Sequence, residues 1–352
     1  MLDSWRGLCA LGVAIFHLDL AGPGMLAAPI RGYLFVDFFF VLSGFVILAA
    51  YGDRISERGE FVRFILRRFG RIYPVHFAVL MACASVVAFT LLAAPPRASG
   101  EPLISADATS LSSLVTNLLL LHSMGFCDQL TWNRPSWSIS VEFYTYAVFG
   151  AASLVAGRHL WRATIPTLIL CALFTVSQTS NINVSCDFGF LRSLLGFFSG
   201  HLVHRLWQRH PLAPSFASRI LAELTAVAAI VAFFAFAGEG RLTWLAPLIF
   251  STAIYVFAHE GGVVSIVLRR RAFIFLGTLS YTLYMVHYPL YRGMDLISRT
   301  IKIPSLPPPA MSALALGAAV AAALVLHLCI ERPGMRLFSG WADRARFALS
   351  GR

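Results

Sequence analysis

The sequence predicts an all-α polytopic membrane bundle of about ten transmembrane helices, with both termini cytoplasmic. Three observations carry that prediction. The 352-residue chain is 58% hydrophobic and only 13% charged, too apolar for a string of soluble domains. Its apolar stretches recur near the ~17–25 residues that cross a hydrocarbon core. Its net charge of +11 sits in short loops between those stretches, which reads as a topology signal rather than a nucleic-acid face. Membrane lipids are therefore expected partners, and nucleic acid is not.

Taken in order, the expected spans are 5–22, 34–51, 72–94, 137–156, 163–179, 189–206, 220–237, 242–259, 273–291 and 309–330. With the N-terminus inside, 19 of the 28 basic residues fall on the cytoplasmic side, as the positive-inside rule requires. Arg31, Arg97, Arg134, Arg241, Arg292, Arg299 and Lys302 fall outside, and Arg6 and Arg192 lie within spans. The first span carries Arg6 and His17 and lacks a basic leader, so it is expected to stay in the mature chain. Trp5, Trp132, Trp137, Trp161, Trp207, Trp244 and Trp341 all fall near predicted boundaries, as an interfacial aromatic belt does.

Residues 113–123 are too few to span and are expected to be re-entrant or interfacial. Counting them as a span would move Arg158, Arg162 and Arg269 to Arg271 outside. Pro95-Pro96 and Pro307-Pro308-Pro309 punctuate outer loops. Residues 1–335 read as one transmembrane domain and 336–352 as a short basic cytoplasmic tail, with no appended soluble domain. Cys9, Cys83, Cys171 and Cys329 fall in apolar segments as small hydrophobes. Cys127 and Cys186 are expected outside, where a disulfide between them is allowed.

Polar residues inside the spans are the candidate site. Arg6 and His17 are eleven residues apart, so they share one helix face about three turns apart. An unpaired cation near mid-membrane costs roughly 2.5–3.5 kcal/mol, so each needs a partner, a wet cavity or a function. Asp37 and Glu142 fall one to two turns below the outer face. Arg67, Arg68 and Arg71 come just before the third span, presenting planar, permanently charged forks suited to phosphate. Tyr281, Tyr284 and His287 recur at i, i+3 and i+6, a stripe that suits a cavity wall and an interhelical hydrogen-bond network equally well.

Plainer roles stand beside these. Arg6 can snorkel to headgroups, Asp37 can cap a helix start, and the arginines can anchor topology or meet anionic lipid. Arg192, His201 and His327 fit small polar clusters or snorkelling at helix ends, and Glu331 with Arg332 fits an end clamp. No Cys/His spacing suits zinc, no Gly-x-Ser-x-Gly elbow occurs, and no Gly-rich phosphate loop precedes a Lys, so no metal is expected.

Five patterns stand in order. They are Leu2-Asp3-Ser4-Trp5-Arg6-Gly7 with His17; Val36-Asp37-Phe38-Phe39-Phe40-Val41-Leu42-Ser43-Gly44-Phe45; Arg67-Arg68-Phe69-Gly70-Arg71-Ile72-Tyr73-Pro74; Trp137-Ser138-Ile139-Ser140-Val141-Glu142; and Ser280-Tyr281-Thr282-Leu283-Tyr284-Met285-Val286-His287. The ordered set, closed by Ile330-Glu331-Arg332-Pro333, resembles the acyltransferase-3 family of integral membrane O-acyltransferases.

That resemblance implies a multi-pass enzyme of the inner (plasma) membrane. It would move an acyl group, most often acetyl from cytoplasmic acetyl-CoA, to a hydroxyl of an extracytoplasmic or lipid-linked carbohydrate of the cell envelope. Some relatives use succinyl donors or small natural products, and relatives with an esterase-like domain are poor guides to this chain. Residue by residue, the resemblance places the family's Arg and His pair on Arg6 and His17, its arginine motif on Arg67, Arg68 and Arg71, and its acidic positions on Asp37 and Glu142. A histidine beside a carboxylate can take a proton from a hydroxyl, so His17 is the expected general base, with Glu142 the favoured orienting partner and Asp37 the second choice. Arg6, Arg67, Arg68 and Arg71 would hold the CoA donor. Ser138, Tyr281, Tyr284 and His287 would contact substrate, the first three as donors to a developing oxyanion. Direct transfer and an acyl-enzyme both stay open. Two rival readings remain, a proton-coupled transporter using the same intramembrane charges and a catalytically silent subunit of an envelope assembly.

Overall fold

Backbone polar groups in hydrocarbon must be satisfied within their own segment, which favours helices. In the computed structural model, which describes residues 1–21, 31–52, 54–93, 107–210, 215–301 and 306–350, every regular element is helical and no strand occurs among the described residues. Pro95-Pro96, Arg97, Lys302 and Arg352 lie outside these residues.

Each stretch expected to span forms a helix. These are α1 (Leu2–Ala21), α2 (Phe35–Tyr51), α3 (Arg58–Ala93), α5 (Trp137–Ala156), α6 (Leu160–Gln178), α7 (Gly189–Arg209), α8 (Phe216–Phe236), α9 (Ala246–Phe257), α11 (Arg271–Ile301) and α12 (Pro308–Leu326). Among the described residues, six helices are long and apolar enough to cross a membrane: those containing α2, α3, α5, α6 and α8, and the continuous run from α12. Helix α9 is only 12 residues long.

Between the spans, α4 (Leu111–Leu118) has eight residues and is N-capped by Ser110, whose Oγ accepts from the Ser113 amide at 3.1 Å. Rising about 12 Å, it cannot cross a bilayer, and Leu111, Val115 and Leu119 are exposed in the manner of an interfacial helix. The short α10 (Val263–Leu268) begins where the buried Glu223 carboxylate accepts from the amides of Gly262 and Ser265.

Two differences from the expected boundaries shape the site. Helix α3 starts at Arg58, well before residue 72, so the arginines sit on the helix rather than ahead of it. The run from α12 passes through a π-helical turn at His327–Glu331 into α13 (Arg332–Ser350). Thus 336–350, expected as a tail, form part of a helix that lies antiparallel along α3, with Phe338 against Gly70 and Arg346 against Gly59. Hydropathy stops where charges begin, but a helix continues while a neighbour covers its inner face.

Packing at two backbone contacts sets the register of the core. Helices α1 and α11 run parallel, Gly7 meeting Gly277 and His17 meeting His287 at the same offset. A Cβ at Gly277 would collide with the Asp3 carbonyl, so a small residue is what lets these backbones approach. Helices α2 and α7 are also parallel, with Gly200 against the Val41 carbonyl and Phe45 against His204. Between these pairs, Phe40, Ile72, Trp137, Ile139, Tyr281 and Tyr284 form one buried cluster joining α2, α3, α5 and α11.

Candidate active site

A cavity of about 140 Å³ opens among α1, α2, α3, α5 and α11. Its polar lining is Arg6, Arg68 and Arg71, then Ser43, Glu142 and Tyr146, and Ser138, Ser280, Tyr281 and Tyr284; the Arg71 guanidinium lies over the Tyr281 ring at 5.7 Å. Sequence reasoning named seven of these; Ser43, Tyr146 and Ser280 are additional.

Helical periodicity explains how the arginines divide. Arg63, Arg67 and Arg71 recur every four residues and lie on one side of α3, facing α13 and the π turn. There Asp343 accepts from Arg63 Nε at 2.8 Å and from Arg67 Nη2 at 2.9 Å, and Arg71 pairs with the fully buried Glu331. Arg67, expected among the donor ligands, therefore belongs to the α3–α13 contact and does not line the cavity. Arg68, about 100° further round, points toward α2 and α5. Its guanidinium lies over the rings of Tyr51 and Tyr146 at 5.4 and 6.0 Å and reaches the Tyr51 hydroxyl at 3.4 Å. Arg6 lines the same cavity and reaches Asp3 at 3.1 Å.

Glu331 is held from its other side by His327, whose Nδ1 lies 2.6 Å from Oε2. In a π turn the extra residue per turn re-aims side chains. Here it brings a carboxylate from the end of α12 to Arg71.

Within the cavity, both Ser43 Oγ (2.9 Å) and Tyr146 OH (2.5 Å) donate to Glu142 Oε1. Glu142 is thus fixed by hydroxyl donors on α2 and α5, not by His17, which had been its expected partner. The Tyr284 and Ser138 hydroxyls lie 2.8 Å apart and each reaches the Pro135 carbonyl. Tyr281 donates to the Ile72 carbonyl of α3, two residues before Pro74. The tyrosine stripe is therefore cavity wall and interhelical network at once.

Asp37 does not meet His17 either. Its two oxygens accept from Arg192 Nε at 2.9 Å and Nη2 at 2.7 Å. Both side chains are 0% exposed. Arg192 also donates to the carbonyls of Tyr33 and Val184 and stacks over Trp137 at 5.2 Å. A buried cation each of whose three nitrogens has a partner, a carboxylate among them, is the arrangement that makes such a charge tolerable. Sequence reading undervalued Arg192 because its partner stands 155 residues away.

His17, the expected base, is partly buried and does not line the cavity. Its Nδ1 lies 2.9 Å from the Val13 carbonyl and 3.1 Å from Nε2 of the fully buried His287. His287 itself stands beside Tyr284, ring centroids 6.1 Å apart, and is absent from the cavity lining. Cys127 and Cys186 are free thiols, and burial pushes the Cys186 thiol upward. Among the described residues no group of three or more His, Cys, Asp or Glu is arranged to hold a metal.

Basic and hydroxyl side chains thus line one cavity inside a helical bundle whose apolar helices are long enough to cross a membrane. The family model described as acyltransferase domain matches residues 2–328, and the chain belongs to the acyltransferase-3 family of membrane acyltransferases. Among curated relatives it is 30% identical over 195 residues to acyltransferase MdmB of Streptomyces mycarofaciens, covering 50% of this chain and 46% of that one. It is 23% identical over 318 residues to O-acetyltransferase OatA of Staphylococcus aureus, covering 82% and 50%. Protein 2 in picA locus of Rhizobium radiobacter is 31% identical over 154 residues, covering 42% and 79%. The chain spans about half the length of the first two. No solved structure matches it.

Proposed function

We propose that this protein is a membrane O-acyltransferase that takes an acyl group, acetyl in the first instance, from cytoplasmic acyl-CoA to a hydroxyl of an extracytoplasmic or lipid-linked carbohydrate. The carrying observation is the cavity whose lining gathers Arg6, Arg68 and Arg71 from two helices together with Ser138 and Tyr284. Guanidinium groups suit the phosphates of a CoA donor, and Arg68 has no carboxylate partner among the described residues. The thioester would extend inward past Glu142 to the Ser138–Tyr284 pair, whose hydroxyls can donate to an oxyanion.

His17, where the acceptor would arrive, lies about 16 Å along α1 from Arg6, outside the cavity lining, and is joined to the Tyr284 wall through His287. Its imidazole takes the proton of the acceptor hydroxyl as that oxygen attacks the thioester carbon. Collapse of the tetrahedral intermediate breaks the C–S bond, and the departing CoA thiolate takes the proton back from the imidazolium. Atoms and charge balance without a metal or redox partner. Asp37 and Arg192 hold the outer ends of α2 and α7 in place and do not enter these steps.

The test is purified protein with acetyl-CoA and isolated envelope glycans, followed by mass spectrometry for a gain of about 42 mass units per acetyl group. His17→Ala is expected to lower turnover by about 10²–10⁴-fold, the range of a lost general base, with thermal stability nearly unchanged. Transfer retained in that variant would remove His17 from the mechanism. Native protein that neither binds nor cleaves acetyl-CoA would overturn the enzyme reading in favour of transport.

A further inference from the structure

The hydrogen bonds around His17 decide which of its nitrogens can act. His287 Nδ1 lies 3.0 Å from the Leu283 carbonyl, one turn back on α11. A carbonyl oxygen only accepts, so Nδ1 of His287 carries the proton, and its Nε2 presents a lone pair in the neutral ring. That lone pair faces His17 Nδ1 at 3.1 Å, while the Val13 carbonyl faces the same nitrogen at 2.9 Å. Two acceptors converge on one atom. The arrangement is attractive only when His17 Nδ1 is the protonated nitrogen, donating between them.

We infer that His287 is a positioning residue that holds His17 in the Nδ1–H tautomer, leaving Nε2 as the nitrogen that takes the acceptor's proton. The inference rests on the acyl-transfer reading for its catalytic consequence, but the tautomer itself follows from the contacts. When Nε2 is protonated, the ring becomes an imidazolium and its Nδ1–H becomes a charge-assisted donor to His287 Nε2 and the Val13 carbonyl. His287 thus supplies, as a neutral acceptor, the orienting contact expected of Glu142. Its own seat is fixed. It is 0% exposed, packs edge-on against Tyr284 and Tyr291, and keeps its register through the Gly7–Gly277 approach of α1 and α11.

The experiment uses full-length protein in lipid nanodiscs with isotopically labelled histidine nitrogens, the His17 signals assigned by their loss in His17→Asn. Native protein should show a protonated Nδ1 and a bare Nε2 at His17. In His287→Leu the acceptor is gone, and the Nε2–H form should gain population. In His287→Gln a side-chain carbonyl can accept from Nδ1–H and should restore the native signal.

In parallel, His287→Leu should lower kcat by about ten- to hundredfold, the worth of one charge-assisted hydrogen bond, with KM for acetyl-CoA unchanged. His287→Gln should recover most of that loss. A protonated Nε2 in the native protein would overturn the inference, as would a Gln variant no better than Leu at equal thermal stability. The expected tautomer in a protein without acetyl-CoA turnover would uphold the pairing and sink the acyltransferase reading.

Discussion

Two arginines of this bundle, Arg192 and Arg68, show how differently the same side chain can be placed. Arg192 is 0% exposed, makes two bonds to Asp37 and two to backbone carbonyls, and covers Trp137. Arg68 makes one long contact to a tyrosine hydroxyl and otherwise lies over aromatic faces in the cavity lining. Among the described residues its Nε has no partner. One cation is saturated by the fold, whereas the other is left with donors to spare. Saturated charges build a site, and the cation with donors to spare is the one we propose meets the acyl donor.

The comparison breaks most visibly at Arg192. Arg192→Met leaves the Asp37 carboxylate buried without its partner, an expected loss of about 3–5 kcal/mol. It should appear as a much lower melting temperature and poor recovery from membranes. Adding Asp37→Leu should return a large part of that loss, since two apolar groups leave no buried charge. No rescue by the double variant would mean that the pair does more than satisfy itself.

At Arg68 the expected effect is smaller and of another kind. Arg68→Gln should raise KM for acetyl-CoA by roughly tenfold, about 1.4 kcal/mol, while the melting temperature stays within a degree or two. Unchanged donor dependence would return Arg68 to a topology role. Ser43→Ala removes one of two donors to Glu142 Oε1 and should cost about 1 kcal/mol, read as a modest fall in thermal stability. The smallest effect is expected at Arg67. Its partner Asp343 is half-exposed, so Arg67→Gln should cost at most about 1 kcal/mol and leave donor KM alone. A large donor defect there would mean that Arg67, not only Arg68, meets the phosphates.

Much of this molecule was legible from residue order. The ten apolar stretches became helices because length and apolar content settle helix formation in hydrocarbon. The eight-residue α4 matches the reading of 113–123 as too short to cross. Arg6, Arg68, Arg71, Glu142, Ser138, Tyr281 and Tyr284 were each singled out and do line one cavity. Less legible were the ends of α3 and α13, whose charges end a hydropathy signal but not a helix.

Partner choice was decided only in three dimensions. The sequence placed His17, Asp37 and Glu142 at similar depths, and depth along a helix axis follows from residue count. Which faces meet depends on helix order and rotation, set by close contacts such as Gly7 with Gly277 and Gly200 with Val41. Those contacts sent Asp37 to Arg192, Glu142 to Ser43 and Tyr146, and His17 to His287. Spacing within one chain segment fixes height and stripe. Lateral neighbours belong to the packing of whole helices, where one small residue can set the register of many side chains.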